Sequence, residues 1–210
     1  MTYLNLSANK LSDGSLFNLS EALNLANPPL IDLNLSNNNL AEKGSVALGD
    51  FVKHCGNLRS LRLQWNKITP KGGVHLCERI AENKSIKNLD MSWNMMGVNK
   101  TKHTEELMHA LAKIVNAESL MHLDISYNSF KLPECALFGE LIRDNNTLYG
   151  LHMQGNQCMV DTYGVVRVDK RHNPGDYGKT NCIGYHSTDG RSVQIKEQKL
   201  KIAKIRSHTH

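Results

Sequence analysis

The sequence predicts an α/β solenoid, with short parallel strands stacked inside a right-handed arc and helices stacked outside it. Three observations predict it. The skeleton L-x-x-L-x-L-x-x-N-x-L, as in the Leu30–Leu40 stretch LIDLNLSNNNL, occurs six times, starting at Met1, Leu30, Leu58, Ile86, Leu120 and Leu148. By subtraction, successive starts lie 29, 28, 28, 34 and 28 residues apart, and a steady period of that length marks a stacked supersecondary unit. Between the skeletons, apolar residues return at helical spacing.

Each skeleton is a strand followed by a turn. Its fourth and sixth positions form the inward pair: Leu4/Leu6, Leu33/Leu35, Leu61/Leu63, Leu89/Met91, Leu123/Ile125 and Leu151/Met153. The third and fifth positions point the opposite way. Asn9, Asn38, Asn66, Asn94, Asn128 and Asn156 occupy the ninth position without a gap, where an amide can bond backbone groups on both sides of the turn. Gly44, Leu48, Phe51, Val52 and Cys55 share one helical face, and Gly72, Leu76, Arg79, Ile80 and Asn83 match them. Leu16, Leu19 and Leu23, then Leu137, Leu141 and Ile142, extend the pattern to the second and sixth skeletons' approaches. Pro28–Pro29, Cys55–Asn57 and Asn145–Thr147 turn the chain into the next strand. About six extra residues between Met96 and Leu107 read as a lengthened loop, with Thr104 capping a helix that opens at Glu105.

The ends depart from the pattern. Met1 already fills the first skeleton position, so the first strand is expected to leave an open edge, covered by a partner or by more of a longer chain. After the sixth skeleton comes no helix but Val165–Val168, a strand candidate, and then a basic stretch. Residues 1–158 therefore read as the solenoid and 159–210 as a basic C-terminal cap and tail.

Composition narrows the function classes. No stretch approaches the ~18 apolar residues of a membrane span, and Met1–Gly14 has no apolar signal region. Cys55, Cys77, Cys135, Cys158 and Cys182 are an odd number without C-x-x-C spacing, which reads as buried free thiols in a reducing, cytoplasmic compartment. Residues 158–210 hold ten Lys/Arg against five Asp/Glu, while residues 1–157 hold fifteen of each. The basic character thus belongs to the tail.

Repeats of about 28 residues with a full helix, LRLQWNKIT, LDISYNSF and the Gly-x-x-x-Leu helix starts resemble the ribonuclease-inhibitor class of leucine-rich repeats over residues 1–158. NNTLYGLHMQGNQCMVDTYGVV is similar to the last repeat of some protozoan members. The class includes inhibitors, GTPase-activating proteins, immune receptors and ciliary scaffold subunits, so the resemblance implies a fold and leaves function open.

Candidate residues follow from the strand positions. Arg62, Asp90, Asp124 and His152 at the fifth position, with Asn88 and His122 at the third, are expected side by side on the concave face. Arg59 and Tyr149 stand at the second position of their repeats, and Trp65, Trp93 and Tyr127 at the eighth form an aromatic ridge along one rim. Aromatic and arginine residues dominate interface energetics, which points to a protein partner. The competing reading is a ridge that only stacks on itself over a solvated set of charges. Asp90, Asp124 and His152 have the residue types of an acid–base site, but an open strand ladder supplies no pocket to perturb them. Cys182 and His186, with His172 nearby, lack a second cysteine pair at metal-ligand spacing. No metal or cofactor is expected. Lys196, Lys199, Lys201, Lys204 and Arg206 form a basic segment suited to an acidic surface. The expected function is a non-enzymatic scaffold presenting its concave face to a protein in a larger cytoplasmic, cytoskeletal or ciliary assembly. The alternatives are a GTPase-activating regulator of the Ran-activator type, against which the basic tail counts, and a nucleic-acid-associated protein led by that tail.

Overall fold

A computed structural model describes residues 1–98, 102–161 and 164–168. Strands and helices alternate: β1 (Tyr3–Asn5), α1 (Asp13–Ala26), β2 (Asp32–Asn34), α2 (Glu42–His54), β3 (Ser60–Arg62), α3 (Pro70–Glu82), β4 (Asn88–Asp90), α4 (Lys102–Asn116), β5 (His122–Asp124), α5 (Leu132–Leu141) and β6 (Gly150–His152). A hairpin follows, β7 (Met159–Val160) and β8 (Val166–Arg167). The first six strands form one parallel sheet in chain order. Its register aligns every skeleton, so that Leu4, Leu33, Leu61, Leu89, Leu123 and Leu151 lie in one row across it. Strands pack about 4.8 Å apart and helices about 8–10 Å apart. Joined repeat by repeat, the two layers close only as an arc with the strands inside.

The skeleton leucines fill the space between the layers. Leu33, Leu35, Leu61, Leu63 and Leu123 are fully buried, together with Leu48, Leu76, Cys77, Leu107 and Leu111 from the helices. The ninth-position asparagines tie each repeat to the one before it. Asn38 donates through Nδ2 to the carbonyls of Leu6, Leu35 and Ser36, and its Oδ1 accepts from the N–H groups of Asn9 and Leu11. Asn66, Asn94, Asn128 and Asn156 repeat the pattern. A buried backbone group without a partner costs about 1–3 kcal/mol, which is why this row admits no other residue type. A second row, not evident from the skeleton, runs where the helices end: Asn83 donates to the carbonyls of Val52 and Cys55, and Asn145 to that of Val115.

Helix starts use local and borrowed caps. Ser12 and Thr69 cap α1 and α3 through their own hydroxyls. Ala41 has no such group, and Asp13 of the preceding helix instead accepts from the N–H groups of Ala41 and Lys43. The cap expected at Thr104 does not form. α4 already begins by Lys102, and Thr104 is 2% exposed within its first turn. Thr104 lies three and four residues before Leu107 and Met108, on the same buried stripe, so the inward face extends one turn further than its apolar residues show.

At the end of the sheet beyond β6, the antiparallel pair β7–β8 packs against α5 where a sixth helix would otherwise lie. Val165–Val168 thus contains a strand, as expected, and its partner is the Met159–Val160 segment. Asp161 closes the hairpin turn, accepting from the Val165 N–H and from Arg167 Nε. At the other end β1 is the edge strand, and Leu4, Leu6, Leu11 and Leu19 are only partly buried.

Cys55, Cys77, Cys135 and Cys158 are buried free thiols. Burial pushes Cys77 up strongly, and a hydrogen bond with Cys158 together with burial does the same for Cys135. Cys182, His172, His186 and the basic segment Lys196–Arg206 lie outside the described residues.

Candidate functional site

The eighth skeleton position leaves the strand in the left-handed backbone region in all six repeats: Ala8, Asn37, Trp65, Trp93, Tyr127 and Gly155 have φ between 52° and 77°. Glycine and asparagine suit that conformation, whereas a bulky side chain there costs on the order of 1 kcal/mol. Three successive repeats nevertheless place aromatics in it. Trp65 and Trp93 stack with ring centroids 4.2 Å apart and planes 8° from parallel, and Trp93 and Tyr127 stack at 3.9 Å and 13°. Such pairs contribute roughly 0.5–1.5 kcal/mol beyond the area they bury, which offsets the strain of the turns. The stack ends on Gly155, where a side-chain carbon would collide with the Tyr127 ring. Trp65 and Trp93 remain 54% and 40% exposed.

On the concave face the fifth-position side chains mostly serve the turns that follow them. Asn5, Asn34, Asp90 and Asp124 each accept, through Oδ1, the N–H two residues ahead. Arg62 and His152 are the exceptions. Arg62 lies in register with Asp90 but turns the other way, its Nη2 donating to both carboxylate oxygens of Asp32 at 2.7 Å. That choice leaves Arg62 Nε buried without a hydrogen-bond partner, and Gln64 Oε1, two residues beyond the strand, is likewise unpaired. Arg59 does not join the row. Its guanidinium donates to the Ser85 carbonyl at 2.8 Å, across the entrance to β4.

Asp90, Asp124 and His152 stand side by side in register, as do Asn88 and His122. Gly150 continues the second row, and its lack of a side chain makes room for the His122 imidazole. Burial, reinforced by repulsion from Asp124, pushes the Asp90 carboxyl above its ordinary range against the hydrogen bonds from Ser92 and the attraction of His152. Among the described residues no group of three or more His, Cys, Asp and Glu is placed to hold a metal ion, and no helix is long and apolar enough to cross a membrane. Asp32, which decides where the Arg62 charge goes, was not among the residues singled out from the sequence. Its third-position place beside a fifth-position arginine one repeat later is the signal that marks it.

A family model described as Leucine Rich repeat matches residues 54–77, from the end of α2 through β3 into α3. The chain has a leucine-rich-repeat solenoid fold. No curated protein matches its sequence. Among solved structures 42 chains match this one. One is actin-binding site 2 of leiomodin-1, 13% identical, with 99% of this chain and 87% of that one aligned at a TM-score of 0.47. A likeness at that level carries no argument about what this leucine-rich-repeat protein binds.

Proposed function

We propose that this leucine-rich-repeat protein is a non-enzymatic interaction scaffold that takes a protein partner on its concave face between β3 and β6, with the aromatic ridge as anchor. The ridge carries the reading. The turn at the eighth position is made equally well by Ala8, Asn37 and Gly155, so the fold does not require aromatics there. Exposed aromatics at a turn that smaller residues also make are suited to recognition, where aromatic anchors carry much of the binding energy. A face of four strands with its rim can supply the ~800 Å² per partner of an ordinary interface. The 28-residue period and full helices support placing the repeats in the ribonuclease-inhibitor class, whose ciliary and other scaffold members suit a place in a larger cytoplasmic or cytoskeletal assembly.

Trp93, stacked on both sides, is the residue to remove. Trp93→Ala should weaken binding of a partner captured from a native extract by ~2 kcal/mol or more, measured by calorimetry on the purified pair. Arg62→Glu, which breaks the fork onto Asp32, should weaken it less and alter its salt dependence. Full affinity in the Trp93 variant, with binding lost only when Lys199, Lys201 and Lys204 are neutralised, would transfer the function to the tail.

A further inference from the structure

The charges of the concave face are unevenly spent. Asp32 and Arg62 neutralise each other through their forked contact. Asp90 and Asp124, adjacent in register and both partly exposed, use only Oδ1, each on its own turn: Asp90 accepts from the Ser92 N–H and hydroxyl, Asp124 from the Ser126 N–H. The Oδ2 atoms of both accept nothing from a described residue, and the basic side chain in register with Asp90 has turned away. Three residues further along the same two repeats stand Trp93 and Tyr127, with the half-exposed Trp65 beside them. Two half-buried carboxylates, each held on its own turn through Oδ1, thus stand in the repeats that carry the aromatic ridge, with His152 in register beside Asp124.

We propose that this part of the face receives an arginine of the protein partner, its guanidinium between the Asp90 and Asp124 carboxylates and the neighbouring apolar residue laid along the Trp65–Trp93 edge. The inference rests on the reading that the concave face binds a protein, and names the chemistry it selects. Strands about 4.8 Å apart bring the two Oδ2 atoms within reach of one planar fork. Guanidinium offers five donors in a fixed plane and sheds water readily, whereas a lysine ammonium is a compact, strongly hydrated charge. The aromatic rim favours arginine again, because a guanidinium stacks on indole and is attracted to its π face. The partial desolvation that raises Asp90 also strengthens its attraction for an arriving cation relative to a fully wet pair.

The only two tryptophans of the chain are Trp65 and Trp93, so fluorescence excited at the red edge, where its six tyrosines do not absorb, reports on the ridge alone. The probe is an acetylated, amidated hexapeptide with one arginine beside a leucine, compared with versions carrying citrulline, lysine or glutamate in place of the arginine. The arginine peptide should give a saturable fluorescence change, with the citrulline and glutamate versions about tenfold weaker or more. Asp90→Asn and Asp124→Asn should each lose about tenfold, while keeping an oxygen to accept the turn N–H and unfolding no earlier than the parent. Equal responses to the arginine and citrulline peptides, or none to either, overturn the proposal. So does binding that emerges only when Lys196, Lys199, Lys201 and Lys204 are changed to Gln, which would assign the carboxylates to the chain's own tail. If Trp93→Ala weakens the captured partner while the arginine peptide is ignored, the face still binds a protein and only the arginine assignment falls.

Discussion

Asp90 holds its turn as Asn34 holds the equivalent one, with a side-chain oxygen accepting the N–H two residues ahead. The carboxylate does this at a cost that the amide avoids, because burial and the facing Asp124 both oppose its ionisation. A folded-state value raised above the unfolded one means that the fold is penalised while Asp90 is charged, and that the penalty fades as pH falls below the ordinary carboxylate range. Asp90→Asn should therefore stabilise the protein at neutral pH by roughly 0.2–1 kcal/mol, the scale of like charges facing each other across strands. The gain should vanish near about pH 3, where the carboxyl is neutral in folded and unfolded chains alike. Urea unfolding at the two pH values measures it, and an equal effect at both would contradict the electrostatic account. The backbone neighbourhood of Asp90 was legible in the sequence, since the skeleton sets the register. The direction taken by Arg62 was not. Asp32 lies one strand before it and Asp90 one strand after, and separations of 30 and 28 residues along the chain do not choose between them.

The elements divide the same way. Strand positions, the inward leucines and the asparagine row were legible because each is restated in every repeat, so a misreading of one copy is corrected by the other five. Features that occur once have no such cross-check. Thr104 has the local chemistry of a cap and is instead a buried first-turn residue on the inward stripe of Leu107 and Met108. Val165–Val168 was recognisable as a strand, but its partner Met159–Val160 was not, since two-residue strands carry no periodicity and pair only because α5 offers them a surface. That surface is tightly fitted. A side-chain carbon at Gly139 would lie 2.9 Å from Val166 Cβ. Gly139→Val should push β8 off α5 and cost ~1–3 kcal/mol, with hydrogen exchange accelerating first in the hairpin and α5 while β2 and β3 stay protected. Uniform loss of protection would mean that the hairpin is not a separable lid on the last repeat.

At the scale of the whole molecule, the contacts among the described elements run between consecutive repeats, so stability is approximately a sum of neighbouring interfaces. Curvature is then a soft coordinate, set by the mismatch between a narrow strand layer and a wide helix layer. The ridge is the feature that stiffens it. Its rings sit 4.2 and 3.9 Å apart, closer than the ~4.8 Å of the strands beneath them, as side chains converging toward the centre of an arc must. Flattening the arc separates the rings, and closing it further presses rings already in contact into overlap. Trp65, Trp93 and Tyr127 thus act as a spring with a stop, and the central strands carry it while the first two and the last do not. Trp93→Ala should open the arc, visible as a longer maximum dimension in solution scattering with little change in secondary structure. A protein seated against this rim would press on the spring as it binds, so that grip and shape become one mechanical quantity.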